Sequence, residues 1–98
     1  MLSANVRGLR NKSKRDIFFK WCKHQKADLV FVQETYWTPE LESIIKSEWK
    51  GKAFFAHGQN RARGVAILLK NNIDIKVNGT YSDITGRLLM LKVATRMM

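Results

Sequence analysis

The chain has 98 residues, 45% of them hydrophobic, and 18 Lys and Arg against 8 Asp and Glu give it a formal charge of +10. That is room for one small domain with a core, which excludes wholesale disorder. The single cysteine, Cys22, excludes an internal disulfide framework and a four-cysteine zinc site.

No apolar run approaches the roughly 18 residues that span a bilayer, and Arg7, Arg10 and Lys12 arrive before any signal-peptide core can form. The expectation is an intracellular protein, nuclear or cytoplasmic, with no membrane partner. A positive field of this size on so short a chain suits a polyanion, through nucleic-acid or phosphate contact.

Leu2 to Val6 is short and apolar around Asn5 and runs into Arg7-Gly8-Leu9-Arg10, a first strand leading to a loop. Ser13 with Asp16 three residues later predicts a capping-box-like helix start. Ile17, Phe18, Trp21 and Cys22 then give an apolar helix face, with Lys14, Arg15, Lys20 and Lys23 as polar interruptions, ending near Gln25. Trp21 reads as a core anchor of this helix.

Asp28 to Thr35 is the organising stretch. Leu29-Val30-Phe31-Val32 reads as a strand buried on both faces, ending abruptly in Gln33-Glu34. Strand, helix and strand in about thirty residues make a right-handed βαβ unit with parallel strands. Asn5 and Glu34 therefore fall at the carboxyl ends of neighbouring strands, on the edge where open α/β sheets bind ligands. A carboxylate there is placed to hold a metal or a proton.

Further on, Thr38-Pro39-Glu40 predicts a helix with Thr38 as N-cap, Leu41, Ile44, Ile45 and Trp49 as its apolar stripe and Gly51 as its end. Ala53 to Ala56 and Val65 to Leu69 read as an antiparallel hairpin around the polar loop from His57 to Gly64. Asn71-Asn72 marks a turn, Ile73 to Val77 a strand, Asn78-Gly79 a tight turn and Gly86 to Ala94 a last strand. Neither His24 nor His57 has a partner at zinc-ligand spacing. Two helices are too few to cover both faces of such a sheet, which predicts a domain truncated at its C-terminus.

Three motifs in order, Asn5-Val6-Arg7-Gly8-Leu9, Leu29 to Thr35 and Gly64-Val65-Ala66-Ile67-Leu68, resemble the endonuclease/exonuclease/phosphatase superfamily. More narrowly they are similar to the apurinic-like endonuclease domain of non-LTR (LINE-type) retrotransposons. The resemblance implies an α/β fold, the N-terminal half of a two-sheet α/β sandwich: a βαβ unit, then a helix and antiparallel strands. It also implies cleavage of phosphodiesters with Mg²⁺. Glu34 would ligate the metal and Asn5 would belong to the same catalytic site.

Residues 1–98 would then be a partial domain, because the family's active-site tyrosine, aspartate-asparagine pair and terminal aspartate-histidine pair find no match. Such a fragment is expected to bind Mg²⁺ weakly or not at all and to be inactive alone. Arg7, Arg10, Lys12, Arg61, Arg63 and Tyr36 are the candidate nucleic-acid contacts, with Lys14 and Arg15 beside them. The rival reading is a small basic nucleic-acid-binding protein without chemistry.

Overall fold

A computed structural model of the protein describes residues 2–58 and 63–71 with their side chains, and 75–82 and 89–95 as backbone. Strand β1 (Leu2–Asn5) leads through a loop to helix α1 (Lys12–His24) and strand β2 (Leu29–Gln33). A 3-10 turn (Pro39–Leu41) feeds helix α2 (Glu42–Trp49), followed by β3 (Lys52–Ala56), β4 (Val65–Leu69), β5 (Ile75–Ser82) and β6 (Leu89–Thr95).

Four strands form one mixed sheet in the order β1-β2-β4-β3, and β5 and β6 pair antiparallel as a second, two-stranded sheet. The pairing of β1 with β2 is parallel, as the βαβ reading requires, with Asn5 opposite Gln33. Strand β4 runs antiparallel to both neighbours, so Val65 stands opposite Gln33 and Ala56. One rim of the sheet thus collects Asn5, Gln33, Val65 and Ala56. The other collects Leu2, Leu29, Leu69 and Lys52.

The period-two alternation of strands sorts the core into two layers. Val30, Val32, Ala53, Ala66 and Leu68 face the helices and pack with Phe19, Cys22, Trp37, Ile45 and Trp49. Val65, Ile67, Leu69 and Ala56 face the other way with Leu29, Phe31 and Phe54, on the sheet whose β3 and β4 the β5–β6 ribbon approaches. Toward β1 this second face opens, and Ser3, Asn5 and Gln33 are exposed.

The helices depart from the sequence expectation in instructive ways. Asn11, not Ser13, caps α1: its side-chain oxygen accepts from the Lys14 N–H at 3.2 Å. Asp16 instead accepts from Lys12 Nζ one turn away at 3.0 Å. The inward face is Arg15, Phe19 and Cys22, while Ile17 is 70% exposed and Trp21 43%. Trp21 is therefore no core anchor. Arg15 is rotated inward because a partner exists there: Nε and Nη2 donate to Glu48 Oε1 and Oε2 at 2.7 and 3.0 Å, and Nη1 donates to the carbonyls of Arg10 and Leu9. This fork clamps α1, α2 and the β1–α1 loop together, and the Glu48 carboxylate holds the guanidinium pKa above its ordinary value despite burial.

Four smaller expectations change. Thr38 precedes the 3-10 turn with no side-chain capping bond. Lys50, not Gly51, takes the left-handed conformation that closes α2, and Ile44 of the expected stripe is 47% exposed. Asn78-Gly79 lies within β5 at an irregularity in the register between Val77 and Gly79 rather than in a turn between strands, as glycine in a strand often does. The expected start of the Ile73 strand and the Gly86 start of the last one lie outside the described residues.

Candidate active site at one rim of the sheet

The rim at the carboxyl ends of β1 and β2 is built by loops in unusual backbone geometry. Arg7, Gly8, Glu34, Tyr36, Arg63 and Gly64 all have positive φ, between 50° and 100°. For residues with a side chain this region costs on the order of 1–2 kcal/mol each, so neighbouring contacts must hold it in place. They are backbone hydrogen bonds: Val6 N to Gln33 O at 3.0 Å, Gly8 N to Glu34 O at 2.7 Å and Leu9 N to Thr35 O at 2.8 Å. On the other side, Thr35 N donates to Gly64 O at 3.1 Å and Tyr36 N to Arg63 O at 2.7 Å. Three loops from distant parts of the sequence are laced side by side.

Two glycines are required by this lacing. A Cβ on Gly8 would stand 2.6 Å from the Tyr36 ring, and one on Gly64 2.6 Å from Thr35 Oγ1. Below them Thr35 is fully buried and accepts from the Trp37 N–H at 3.2 Å, while Trp37 Nε1 donates to Leu9 O at 2.8 Å. Trp37 is thereby a core residue that anchors the rim from beneath.

On this platform Asn5 and Glu34 meet. Asn5 Nδ2 donates to Glu34 Oε2 at 2.5 Å across 29 residues of sequence. Tyr36 Oη sits 3.4 Å from Glu34 Oε1, a weak contact that steers the second carboxylate oxygen. The carboxylate is partly exposed, and the amide oxygen of Asn5 has no protein partner among the described residues.

The basic candidates separate. Arg7, Arg10 and Arg63 are exposed on the loops that form the rim, and Lys12 is exposed at the start of α1 in its pair with Asp16. Tyr36 is half-buried against Gly8 with its hydroxyl near Glu34. Arg15 is buried in its pair with Glu48 and is not available to a phosphate. Arg61 lies outside the described residues.

Sequence reasoning passed over a second polar pair on the same rim. His57, just past β3, bonds through Nε2 to Glu42 Oε2 at 2.7 Å and stacks on Phe55 at 5.3 Å between ring centroids. Its Nδ1 is buried and has no partner among the described residues. The only hint in the sequence is a histidine directly after a strand, at the rim where Glu34 also emerges.

A carboxylate and an amide are thus joined on a strained rim at one end of the mixed sheet of an α/β domain. The chain belongs to the Endonuclease/Exonuclease/phosphatase family, whose model matches residues 2–96. It is also similar to a transposon TX1 uncharacterized 149 kDa protein of Xenopus laevis, 36% identical over 91 residues. That match covers 93% of this chain and 7% of the relative.

Proposed function

We propose that this chain contributes the glutamate–asparagine part of a metal-dependent phosphodiesterase centre, in a DNA endonuclease of the non-LTR retrotransposon type. The observation that carries this reading is the Asn5–Glu34 hydrogen bond at the rim, in a chain of a nuclease-containing family with a transposon protein among its relatives.

The donor set fits a hard, hydrated divalent ion such as Mg²⁺, which is commonly held by one or two carboxylates with water and substrate phosphate completing the shell. Glu34 would hold it, with the free amide oxygen of Asn5 beside it. Bound there, the ion supplies Lewis-acid polarisation of a phosphoryl oxygen.

The chain's own residues do the positioning. Asn5 engages Glu34 Oε2 and the Tyr36 hydroxyl lies near Oε1, so both carboxylate oxygens are steered. An amide does this without adding charge. The laced loops hold both groups still, and preorganisation of this kind is worth several kcal/mol in a transition state. Arg7, Arg10, Lys12 and Arg63 offset phosphate charge as a strand lies across the rim.

Among the described residues no three His, Cys, Asp or Glu side chains gather as a metal site. The 98-residue chain by itself is accordingly expected to bind Mg²⁺ weakly and to nick DNA below detection.

The test is complementation. Residues 2–96 replace the matching segment in an active member of the family, and nicking of supercoiled plasmid is followed in Mg²⁺. Nicking is expected, and Glu34→Gln should lower it by about 100-fold or more. Undiminished nicking by the Glu34→Gln chimera would overturn the assignment. The charge of +10 favours one other reading, a binding module without chemistry. DNA binding with a steep salt slope and no response to Mg²⁺ or Glu34→Gln would support that reading instead.

A further inference from the structure

The opposite rim of the sheet carries a pocket that the nuclease reading does not use. It has a volume of about 300 Å³, the lower end of the range for small-ligand sites. Its floor is apolar, made by Cys22, Ala27 and Trp49, and four lysines surround it: Lys23, Lys26, Lys50 and Lys70.

These lysines come from three separate places. Lys23 lies in the last turn of α1 and Lys26 just beyond it, Lys50 caps the end of α2 and Lys70 follows β4. All four are exposed, and no acidic side chain pairs with any of them among the described residues. Two helix C-termini point here and present roughly −0.5 elementary charge each. Against about −1 in total, four ammonium groups leave a surplus of about +3, and about +2 if the nearby carboxylate of Asp28 is counted.

The backbone adds an independent sign. Lys26 and Lys50 have φ of 56° and 62°, at helix-terminal positions where glycine or asparagine is the low-energy choice. Two of the pocket's four cations therefore occupy positions that lysine fills at a conformational cost. The floor is fixed beneath them, because Trp49 Nε1 donates to Leu69 O at 2.8 Å and Lys70 N to Asp28 O at 2.9 Å.

We propose that this pocket binds one nucleotide unit of a single nucleic-acid strand, its base against the apolar floor and its phosphates among Lys23, Lys26, Lys50 and Lys70. Apolar floor with cationic margin is the arrangement that serves single strands without reading their sequence. The site lies at the end of the sheet away from Asn5 and Glu34, so the domain would hold a strand at one rim while the nuclease rim faces another segment. The inference stands whether or not the rim at Glu34 is a nuclease centre.

The probe is a fluorescein-labelled oligothymidylate of eight nucleotides, titrated against the 98-residue chain by anisotropy at several salt concentrations. In parallel, ¹H–¹⁵N spectra follow the Trp49 indole N–H. Lys26→Asn/Lys50→Asn removes two pocket charges while installing a residue at ease with positive φ, so the fold is retained. Binding is expected to weaken at least 10-fold and the salt slope to fall by about 1.4. Lys20→Gln/Lys46→Gln removes the same charge elsewhere and should weaken binding less than 3-fold.

Thymidine monophosphate should shift the Trp49 resonance and inorganic phosphate should not, which separates a nucleotide site from a phosphate site. Equal weakening by both double variants would overturn the proposal, as would an unmoved Trp49 indole. Poly-glutamate binding as tightly as the oligonucleotide, with the same dependence on Lys26 and Lys50, would overturn it too, assigning the pocket to an acidic protein.

Discussion

The two rims of the sheet put unusual backbone conformations to opposite uses. At the Glu34 rim, residues with positive φ are laced to one another by main-chain hydrogen bonds, and two glycines leave room for the Tyr36 ring and the Thr35 hydroxyl. At the lysine rim, Lys26 and Lys50 close helices in the same φ region, with their side chains in solvent. One rim spends its strain on holding a few polar atoms still. The other carries flexible charge on a fixed apolar floor. Rigidity suits chemistry at defined atoms, whereas mobile cations suit a phosphate backbone without sequence preference.

The largest expected effect breaks the clamp that both rims share. Arg15→Ala leaves Glu48 partly buried and unpaired, and Glu48→Ala does the same to a buried guanidinium. Each should cost about 3–5 kcal/mol in urea unfolding. The double variant Arg15→Met/Glu48→Leu should recover most of that loss, because it leaves no uncompensated charge. Full destabilisation in the double variant would mean that the clamp acts through shape rather than charge.

The next effect sets the rims directly against each other. Gly8→Ala and Gly64→Ala should each destabilise by about 1–3 kcal/mol, since φ stands near +100° and the new methyl meets a packed neighbour. Lys26→Gly and Lys50→Gly should move the other way, stabilising by up to about 1 kcal/mol. A loss of stability from either lysine variant would show that its side chain packs rather than waits for a ligand.

Smaller still is the role of the Glu34 side chain in folding. Glu34→Gln and Asn5→Ala should each change stability by no more than about 1 kcal/mol, as expected for one partly exposed hydrogen bond. Under the proposed function their consequences belong to metal binding and cleavage, and a Tm drop of many degrees from either would make the pair a structural bond.

The smallest effect is a titration. Burial pushes the Cys22 thiol from its ordinary 9.0 up to about 11. A group whose pKa is raised on folding contributes stability that is complete below the unfolded value and lost as pH climbs through the folded one. Stability should therefore fall between about pH 9 and 11, more steeply in the wild type than in Cys22→Ala, where lysine titration is common to both. Thiol reagents should label Cys22 only as the chain unfolds.

Much of this was legible in the sequence for local reasons. The four apolar residues from Leu29 to Val32 ending in Gln33-Glu34 fixed a strand and its polar terminus, and the crossover length fixed the parallel pairing that sets Asn5 beside it. Patterning also found β3 and β4 and their antiparallel pairing, since alternation and turn residues act over a few positions. The family motifs lay in the same local stretches.

What the sequence alone could not decide depended on partners far away in the chain. Which face of α1 turns inward rested on Glu48, 33 residues beyond Arg15. A buried arginine is affordable only beside its carboxylate, so hydrophobic spacing by itself was right for Cys22 and Phe18 but sent Ile17 and Trp21 inside. The lacing of the rim, the pairing of His57 with Glu42 and the convergence of four lysines from three places are likewise decided by packing. Local chemistry determines the elements and their polar ends; only the folded chain determines which of those ends share a surface, because short-range propensity carries no information about neighbours brought together by burial.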